Sequence, residues 1–264
     1  MNDLPAMPPS VKRAGLRWTA LRVLILISAV LLAWAGHTTA ALTLFIAAAI
    51  FMAYLALSPS TRLLGPIVTR IYDADGVLLT FDDGPCPEKT LPLLDLLDQH
   101  GVKALFFLIG ERVQQWPELA REILRRGHAV GNHTQTHPAT SFWRFASKRT
   151  WEEIAGCQLS LRAVMNHEAR WFRAPAGHYQ AFTHSCLRAL GLQLMGWSRR
   201  GFDGVDPRVV PVLHRLTDGV KVADILLLHE GKPMTLELTR RVLETLKTKG
   251  LPITDPAGLG AAPR

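Results

Sequence analysis

The hydrophobic pattern divides this chain into an apolar N-terminal part and a longer part with short apolar runs. Two runs without charged residues, 23–35 and 40–57, are separated only by the connector 36–39. The second run has 18 residues, near the lower limit of about 17–20 for a membrane-spanning helix, and the first is shorter, with 13. Trp18, Trp34 and Tyr54 lie near the run ends, where interfacial aromatic rings are enriched. The pattern predicts a two-helix transmembrane hairpin over residues 23–58.

Two other interpretations of the apolar part remain open. Basic residues before the first run, followed by Ala33-Trp34-Ala35, resemble a signal peptide with its cleavage site. A signal peptide does not explain the second apolar run, so this interpretation ranks second. The third is a re-entrant hairpin that enters the bilayer without crossing it. The spanning hairpin is favoured.

After residue 60, short apolar runs alternate with amphipathic stretches. The runs predict strands, and the stretches predict helices that end before glycines suited to a left-handed cap. The predicted strands are 76–81, 104–109, 129–131, 171–173, 192–197 and 224–228, and the predicted helices are 88–99, 117–126, 150–165, 181–190, 207–216 and 235–249. Such alternation is typical of a parallel sheet or barrel covered by helices, so the fold class is α/β.

Charge adds an orientation to this picture. The chain has 30 Lys and Arg against 22 Asp and Glu, a net charge of +8. Basic residues precede the first apolar run, the connector has none, and Arg62 and Arg70 follow the second run. The positive-inside rule then places both ends in the cytoplasm, which makes this a multi-pass protein of the cytoplasmic (inner) membrane. The basic pairs are scattered, which excludes a nucleic-acid-binding stripe. The three cysteines are far apart, as expected of reduced thiols.

The strongest chemical signal combines an acidic pair with two histidines. Asp82 and Asp83 follow an apolar run, while His133 and His137 are four residues apart. Histidines at this spacing can bind one cation, and a carboxylate completes a three-ligand zinc site with an open position. Asp82-Asp83, His133, Arg173, Trp197 and His229 all lie at or just after predicted strand ends. Side chains at the carboxyl ends of parallel strands share one edge, which predicts a single site.

Five sequence segments carry a family resemblance. TFDDGP at 80–85, NHTQTHP at 132–138, RAPAG at 173–177, WSRRGFD at 197–203 and LLLHE at 226–230 resemble, in order, the five motifs of NodB-type polysaccharide deacetylases, carbohydrate esterase family 4. The resemblance covers residues 64–251. It implies a distorted, incomplete (β/α) barrel, the NodB-like deacetylase fold. It also implies a hydrolase that removes N-acetyl groups from amino-sugar glycans with one divalent metal ion, commonly Zn²⁺.

The resemblance also implies a role for each motif residue. Asp83, His133 and His137 would bind the metal, with Asp82 as the general base that Arg173 orients. His229 would be the general acid, paired with Asp203. The backbone N–H of Ala176 would stabilise the oxyanion. Trp197 and Leu227 would line the acetyl pocket, and Tyr179 would replace a sugar-stacking ring that the family often has at position 176. Two further departures are Gly204, where tryptophan is common, and Glu230, where aspartate is frequent.

These patterns predict four segments: a basic cytoplasmic segment (1–22), the hairpin (23–58), a deacetylase domain (63–254) and a flexible tail (255–264). The expected partners are the membrane and an N-acetylated glycan or a lipid-linked amino sugar, with no nucleic acid and no obligate protein partner. Two other functions remain open. One is a deacylase or deformylase of a lipid-linked amino-sugar precursor at the cytoplasmic membrane face. The other is a non-catalytic glycan-binding module, which is disfavoured because Asp82 and His229 are both present.

Overall fold

One curled parallel sheet organises the long C-terminal part of the chain, hereafter the α/β domain. The computed structural model describes residues 4–259. The strands are β1 (Leu78–Gly84), β2 (Leu105–Leu108), β3 (Ala129–Asn132), β4 (Trp171–Phe172), β5 (Gln193–Leu194), β6 (Arg199–Arg200) and β7 (Ile225–His229). They lie in the order β5-β4-β3-β2-β1-β7-β6, and every neighbouring pair is parallel.

The two edges of this sheet belong to one short stretch of chain. β5 and β6 are separated only by residues 195–198, and Met195 forms a parallel bridge with Val68. The Gly196 amide donates to the Val68 carbonyl over 2.8 Å. The sheet therefore curls until its edges are joined by a single segment. This confirms the predicted distorted, incomplete (β/α) barrel.

The strands are buried on both faces, since helices pack on the outer face and side chains such as Leu78, Phe107 and Ile225 fill the inside of the curled sheet. The strand cores are almost entirely apolar, as expected of parallel strands that are buried on both faces. The helices of the α/β domain are α3 (Thr90–Gln99), α4 (Gly110–Gln115), α5 (Pro117–Arg125), α6 (Ser147–Met165), α7 (Thr183–Ala189), α8 (Val209–Thr217) and α9 (Thr235–Thr248). Each predicted helix is present. Sequence analysis missed α4 and β6, because one short turn and two arginines carry no periodic pattern.

The N-terminal hairpin consists of α1 (Pro9–Trp34) and α2 (Thr38–Leu57). Both helices are long and apolar enough to cross a membrane, and their apolar side chains are largely exposed. α1 begins at Pro9, where proline suits a helix start, so one helix runs through the predicted boundary after residue 22. Residues 11, 15, 18 and 22 recur at helical spacing, which places them on one face. The basic segment is therefore part of a continuous helix.

That face of α1 packs against the α/β domain. Val11 is fully buried in the main hydrophobic core, and a Cβ at Gly15 would clash with the Ser147 side chain at the start of α6. At the other end of the chain, residues 256–258 form a 3₁₀ turn in which Pro256 is buried. The described part of the predicted flexible tail is thus ordered. Residues 260–264 lie outside the described residues.

Candidate active site

The carboxyl ends of four strands bring the motif residues together. Asp82 and Asp83 lie near the carboxyl end of β1, and His229 ends β7. His133 follows β3, and Arg173 follows β4. Asp82 is aligned with His229 between β1 and β7. Because all strands run in parallel, these side chains share one edge of the sheet. A pocket of about 170 Å³ opens there.

Three side chains of this pocket form a cluster with the composition of a metal site. The ligand atoms of Asp83, His133 and His137 lie within 4.8 Å of one another. Asp83 Oδ1 is 3.6 Å from His133 Nε2 and 3.1 Å from His137 Nε2. One carboxylate and two imidazoles with an open fourth position suit zinc.

Local backbone geometry aims these side chains into the pocket. Asp83 has a φ of 71° and His137 a φ of 54°, both in the left-handed region. Arg112 donates to the Asp83 carbonyl over 2.6 Å, and Glu153 accepts from the Thr136 amide over 2.9 Å. Left-handed residues other than glycine cost about 1–3 kcal/mol and persist where their surroundings hold them. The two histidines therefore lie on a constrained loop rather than on one helix face.

The donor set fits a divalent cation. His133 Nδ1 is 2.8 Å from the carbonyl oxygen of Arg173. Nδ1 therefore carries the proton, and the lone pair of Nε2 faces Asp83. Burial, followed by the charge of His133, lowers the pKa of His137 to about 4, so this imidazole is neutral at pH 7. Asp83 Oδ1 is buried and accepts no hydrogen bond within residues 4–259. A buried carboxylate oxygen beside two imidazole nitrogens is a donor set that suits a divalent cation.

The second carboxylate has a different partner. Arg173 Nη1 donates to Asp82 Oδ1 over 2.7 Å and also to Thr80 Oγ1. The same guanidinium donates to the Met195 and Gly196 carbonyls. Burial lowers the pKa of Arg173, and the carboxylate of Asp82 opposes that shift. Asp82 is thus oriented by an arginine, whereas Asp83 faces the histidines.

Replacing Arg173 by alanine should lower the free energy of unfolding by about 3–5 kcal/mol. Both side chains of the pair are almost fully buried, so the change leaves Asp82 as a buried charge without its partner. Denaturant unfolding of the detergent-solubilised chain measures the loss. Arg162→Ala is the control, since Arg162 is exposed and pairs loosely with Glu168. Equal stability of the two variants would contradict a structural role of the pair.

His229 lines the pocket next to Asp82 on the neighbouring strand and pairs with Asp203. His229 Nδ1 is 2.9 Å from Asp203 Oδ1, and the His229 amide donates to Asp203 Oδ2 over 2.7 Å. Burial alone would lower the pKa of His229, but the hydrogen bond and charge of Asp203 outweigh it, so the pKa is raised. This pairing also fixes the tautomer that leaves Nε2 available.

The predicted pocket residues are not all present in the pocket. Ala176, Trp197 and Leu227 line it, and Ala176 has a left-handed φ of 54°. Tyr179 does not: it is buried, and its hydroxyl donates to the Thr61 carbonyl over 2.8 Å. The proposed sugar-stacking role of Tyr179 is therefore wrong. Its ring packs instead against His184.

Sequence reasoning missed three cationic side chains near the carboxylates. Lys232 Nζ is 3.5 Å from Asp83 Oδ2, and Arg112 binds the carbonyl of that residue. Arg200 lines the pocket with its guanidinium 4.6 Å from the Phe202 ring centroid. Lys232 follows the fifth motif by two residues, a proximity that sequence analysis could have used. Arg112 lies on the short helix α4, outside the five motifs, so no sequence pattern indicates its contact with Asp83.

Glu230, one of the departures from the family pattern, packs against Gly84, next to the cluster of Asp83, His133 and His137. Its Oε1 accepts from the Cys86 amide over 3.0 Å and from the Thr90 hydroxyl. Burial raises the pKa of Glu230 to about 7. A Cβ at Gly84 would clash with Glu230 Oε2, which explains the need for glycine after the acidic pair. Glu230 therefore stabilises the chain at the carboxyl end of β1.

Comparison with known proteins agrees with this geometry. The polysaccharide deacetylase family model matches residues 70–195. The chain is 32% identical over 182 residues to the peptidoglycan-N-acetylglucosamine deacetylase of Bacillus cereus, covering 66% of this chain and 83% of that protein. It is 29% identical over 202 residues to the chitooligosaccharide deacetylase of Azorhizobium caulinodans, covering 71% of this chain and 95% of that protein.

A solved structure shares the architecture. It is a mutant of a carbohydrate esterase family 4 pseudoenzyme with restored enzymatic activity, with a TM-score of 0.67 and 26% identity over 74% of this chain and 71% of that chain. The curled sheet, the clustered acids and histidines, and these relatives define a hydrolase that acts on the N-acetyl bonds of amino sugars. The chain belongs to the NodB-type polysaccharide deacetylases, carbohydrate esterase family 4. This family is generally metal-dependent.

Proposed function

We propose that this protein removes the N-acetyl group of an amino sugar in a glycan with Asp82 as base and His229 as acid. One observation carries the proposal: of two adjacent carboxylates in one pocket, only Asp82 is bound by an arginine, and His133 lies between them, with Nε2 3.7 Å from Asp82 Oδ2 and 3.6 Å from Asp83 Oδ1. Arg173 binds Asp82, while Asp83 faces His133 and His137. A hydrolase of this kind needs one group to activate water and another to hold an electrophile. We assign the first task to Asp82, which Arg173 orients, and the second to Asp83 with the two histidines.

Each side chain then has a defined task. Asp83, His133 and His137 would bind one divalent ion, for which we propose Zn²⁺, and that ion would polarise the amide carbonyl and acidify a water molecule. Asp82 accepts the proton of the attacking water, held in place by Arg173. The Ala176 N–H donates to the developing oxyanion. Trp197 and Leu227 line the pocket and enclose the acetyl methyl.

His229 completes the reaction by protonating the departing sugar amine. An amine leaves poorly without a proton, and His229 lines the same pocket on the strand next to the acidic pair. Asp203 raises the pKa of His229, which keeps the imidazole protonated to higher pH. Base and acid thus come from the carboxyl ends of two neighbouring strands, β1 and β7.

Asp203→Asn should move the alkaline limb of the pH–rate profile to lower pH. A general acid works only while protonated, so activity falls as pH rises through its pKa. Because Asp203 raises that pKa, its neutralisation lowers the pH at which activity is lost. The measurement is kcat/KM against pH, with Asp206→Asn, a carboxylate outside the pocket, as control. An unmoved alkaline limb would contradict the pairing of Asp203 with the acid.

The direct test of the proposed function is acetate release by the purified zinc-loaded protein. Soluble chito-oligomers and lipid-linked N-acetylamino sugars should be compared as substrates. Stoichiometric production of acetate and free amine is the expected result. Lack of turnover on both, with intact metal and fold, would favour the glycan-binding module. That alternative is weaker because Asp82, His229 and the cluster around Asp83 occur in one pocket.

We further propose that α1 and α2 cross the membrane. Beyond Arg22, α1 continues to Trp34, about 18 Å at 1.5 Å per residue, against a hydrocarbon core of about 30 Å. Thinning the bilayer costs fractions of a kcal/mol per Å. A re-entrant hairpin would leave the first amides of α2 in hydrocarbon, at several kcal/mol each, since no side-chain cap is present in this described helix start. Crossing the membrane therefore costs less free energy than a re-entrant hairpin.

The basic residues in the first turns of α1, before its apolar run, and those after α2 favour the cytoplasm for both ends. This orientation would separate the α/β domain from mature wall polymer. It therefore supports a second candidate substrate, a lipid-linked amino-sugar precursor at the cytoplasmic membrane face. The hairpin would hold the pocket near that surface and raise the effective substrate concentration.

Reporter fusions test this topology. A fusion after Thr39 should show periplasmic-type activity, and one after Arg264 should show cytoplasmic-type activity. The physical reason is the charge asymmetry across the connector. A C-terminal reporter that is active outside the cytoplasm would overturn the orientation and make extracellular polysaccharide the substrate. A connector reporter active in the cytoplasm would indicate a re-entrant hairpin instead.

A further inference from the structure

A second cavity lies where the hairpin meets the α/β domain, away from the pocket described above. Its volume is about 480 Å³, within the usual range of ligand pockets. One wall is the apolar face of α2, including Phe45 and Met52. Trp143 and Arg144, which precede α6, also line the cavity. The cavity thus combines a hydrocarbon-like wall with a polar end.

Two arginines provide the polar end of this cavity. Arg22 donates to Gln180 Oε1 over 3.2 Å, and Trp18 donates to the same oxygen over 2.9 Å. Arg144 stacks on Trp143, with the guanidinium 5.6 Å from the ring centroid. Within residues 4–259, neither arginine forms an ion pair with a carboxylate. By contrast, Arg126 on α5 binds three carboxylates.

We propose that this cavity binds an anionic phospholipid, with its phosphate between Arg22 and Arg144 and its acyl chains along α2. Guanidinium groups bind phosphate through paired hydrogen bonds, and tryptophan is favoured at headgroup depth. The inference rests on the membrane hairpin proposed above, because that placement surrounds the cavity with lipid. The positive charges of the two arginines complement the anionic headgroup, and the apolar wall of α2 complements the acyl chains.

Such a lipid would connect two parts of the protein. Gln180 already joins α1 to the chain segment before α7, and the Tyr179 amide donates to the Ala56 carbonyl of α2 over 3.2 Å. A phosphate bound by one arginine from each part would add a bridge between hairpin and domain. The position of the α/β domain at the bilayer would then depend on anionic lipid.

Lipid binding to the full-length protein in detergent tests the inference. Native mass spectrometry would compare phosphatidylglycerol with phosphatidylcholine, and the wild type should prefer phosphatidylglycerol. The double variant Arg22→Gln/Arg144→Gln should lose affinity about thirtyfold, the combined effect of two arginines at a lipid surface. Arg13→Gln, an exposed arginine of α1 outside the cavity, should bind as the wild type does.

A second variant tests the inference independently, in case the double variant does not fold. Ala49→Trp should fill the cavity and weaken phosphatidylglycerol binding while both arginines remain. Equal affinity of wild type and double variant, or equal binding of both lipids, would overturn the inference. Displacement of the lipid by inorganic phosphate would also overturn it, since the acyl chains would then contribute nothing. A protein that remains monodisperse without detergent would overturn the hairpin itself, which is a separate result.

Discussion

Replacing His133 or His137 by alanine should reduce the metal content of the purified protein to near background. Each change removes one of three ligands, and the remaining two leave the cation largely exposed to water. Loss of an outer-shell partner alone costs about 10–100-fold in metal affinity, so loss of a ligand should cost more. Elemental analysis after dialysis against a weak chelator measures the effect. Deacetylation should disappear with the metal.

The matched control is His214→Ala, because His214 is exposed and bonds only Asp218 among the described residues. It should bind metal as the wild type does. Stoichiometric zinc in both His133→Ala and His137→Ala would disprove the assignment of the cluster. Restoration of metal content by His137→Asp, which returns a carboxylate ligand, would strengthen it.

Asp82→Asn should retain metal and lose hydrolysis by about 10²–10⁴-fold in kcat, the usual contribution of a general base. The amide has nearly the same shape and can still accept from Arg173 at its oxygen, so the fold should be preserved. What it lacks is a carboxylate to accept the proton of water. Steady-state deacetylation and metal content, measured on the same preparation, separate base loss from metal loss.

Asp73→Asn serves as the control for this second prediction, since Asp73 is exposed outside the pocket. Near wild-type turnover of Asp82→Asn with bound metal would show that another group takes the proton. A loss of metal together with activity would instead assign Asp82 to the metal. His229→Ala should behave as Asp82→Asn is expected to behave: it should retain metal and lose turnover, because the leaving amine is no longer protonated.

Much of the architecture was readable from local patterns. Strands such as β2 are short apolar runs, and helices such as α9 repeat apolar positions at helical spacing, so periodicity alone located both. The strand ends then placed Asp82, His133 and His229 on one edge, because parallel strands share a direction. The very short elements β6 and α4 escaped prediction, since their pairing depends on distant residues.

The sequence by itself determined the alternation of strands and helices, the family motifs and the two apolar helices, because these depend on neighbouring residues. Tertiary structure alone decided where each side chain points. It buried Tyr179 against Thr61, brought Lys232 to Asp83, and joined Arg22 to Gln180. Those contacts link residues far apart in the chain, and only the packing of helices on the curled sheet selects them. No local pattern encodes such a distance.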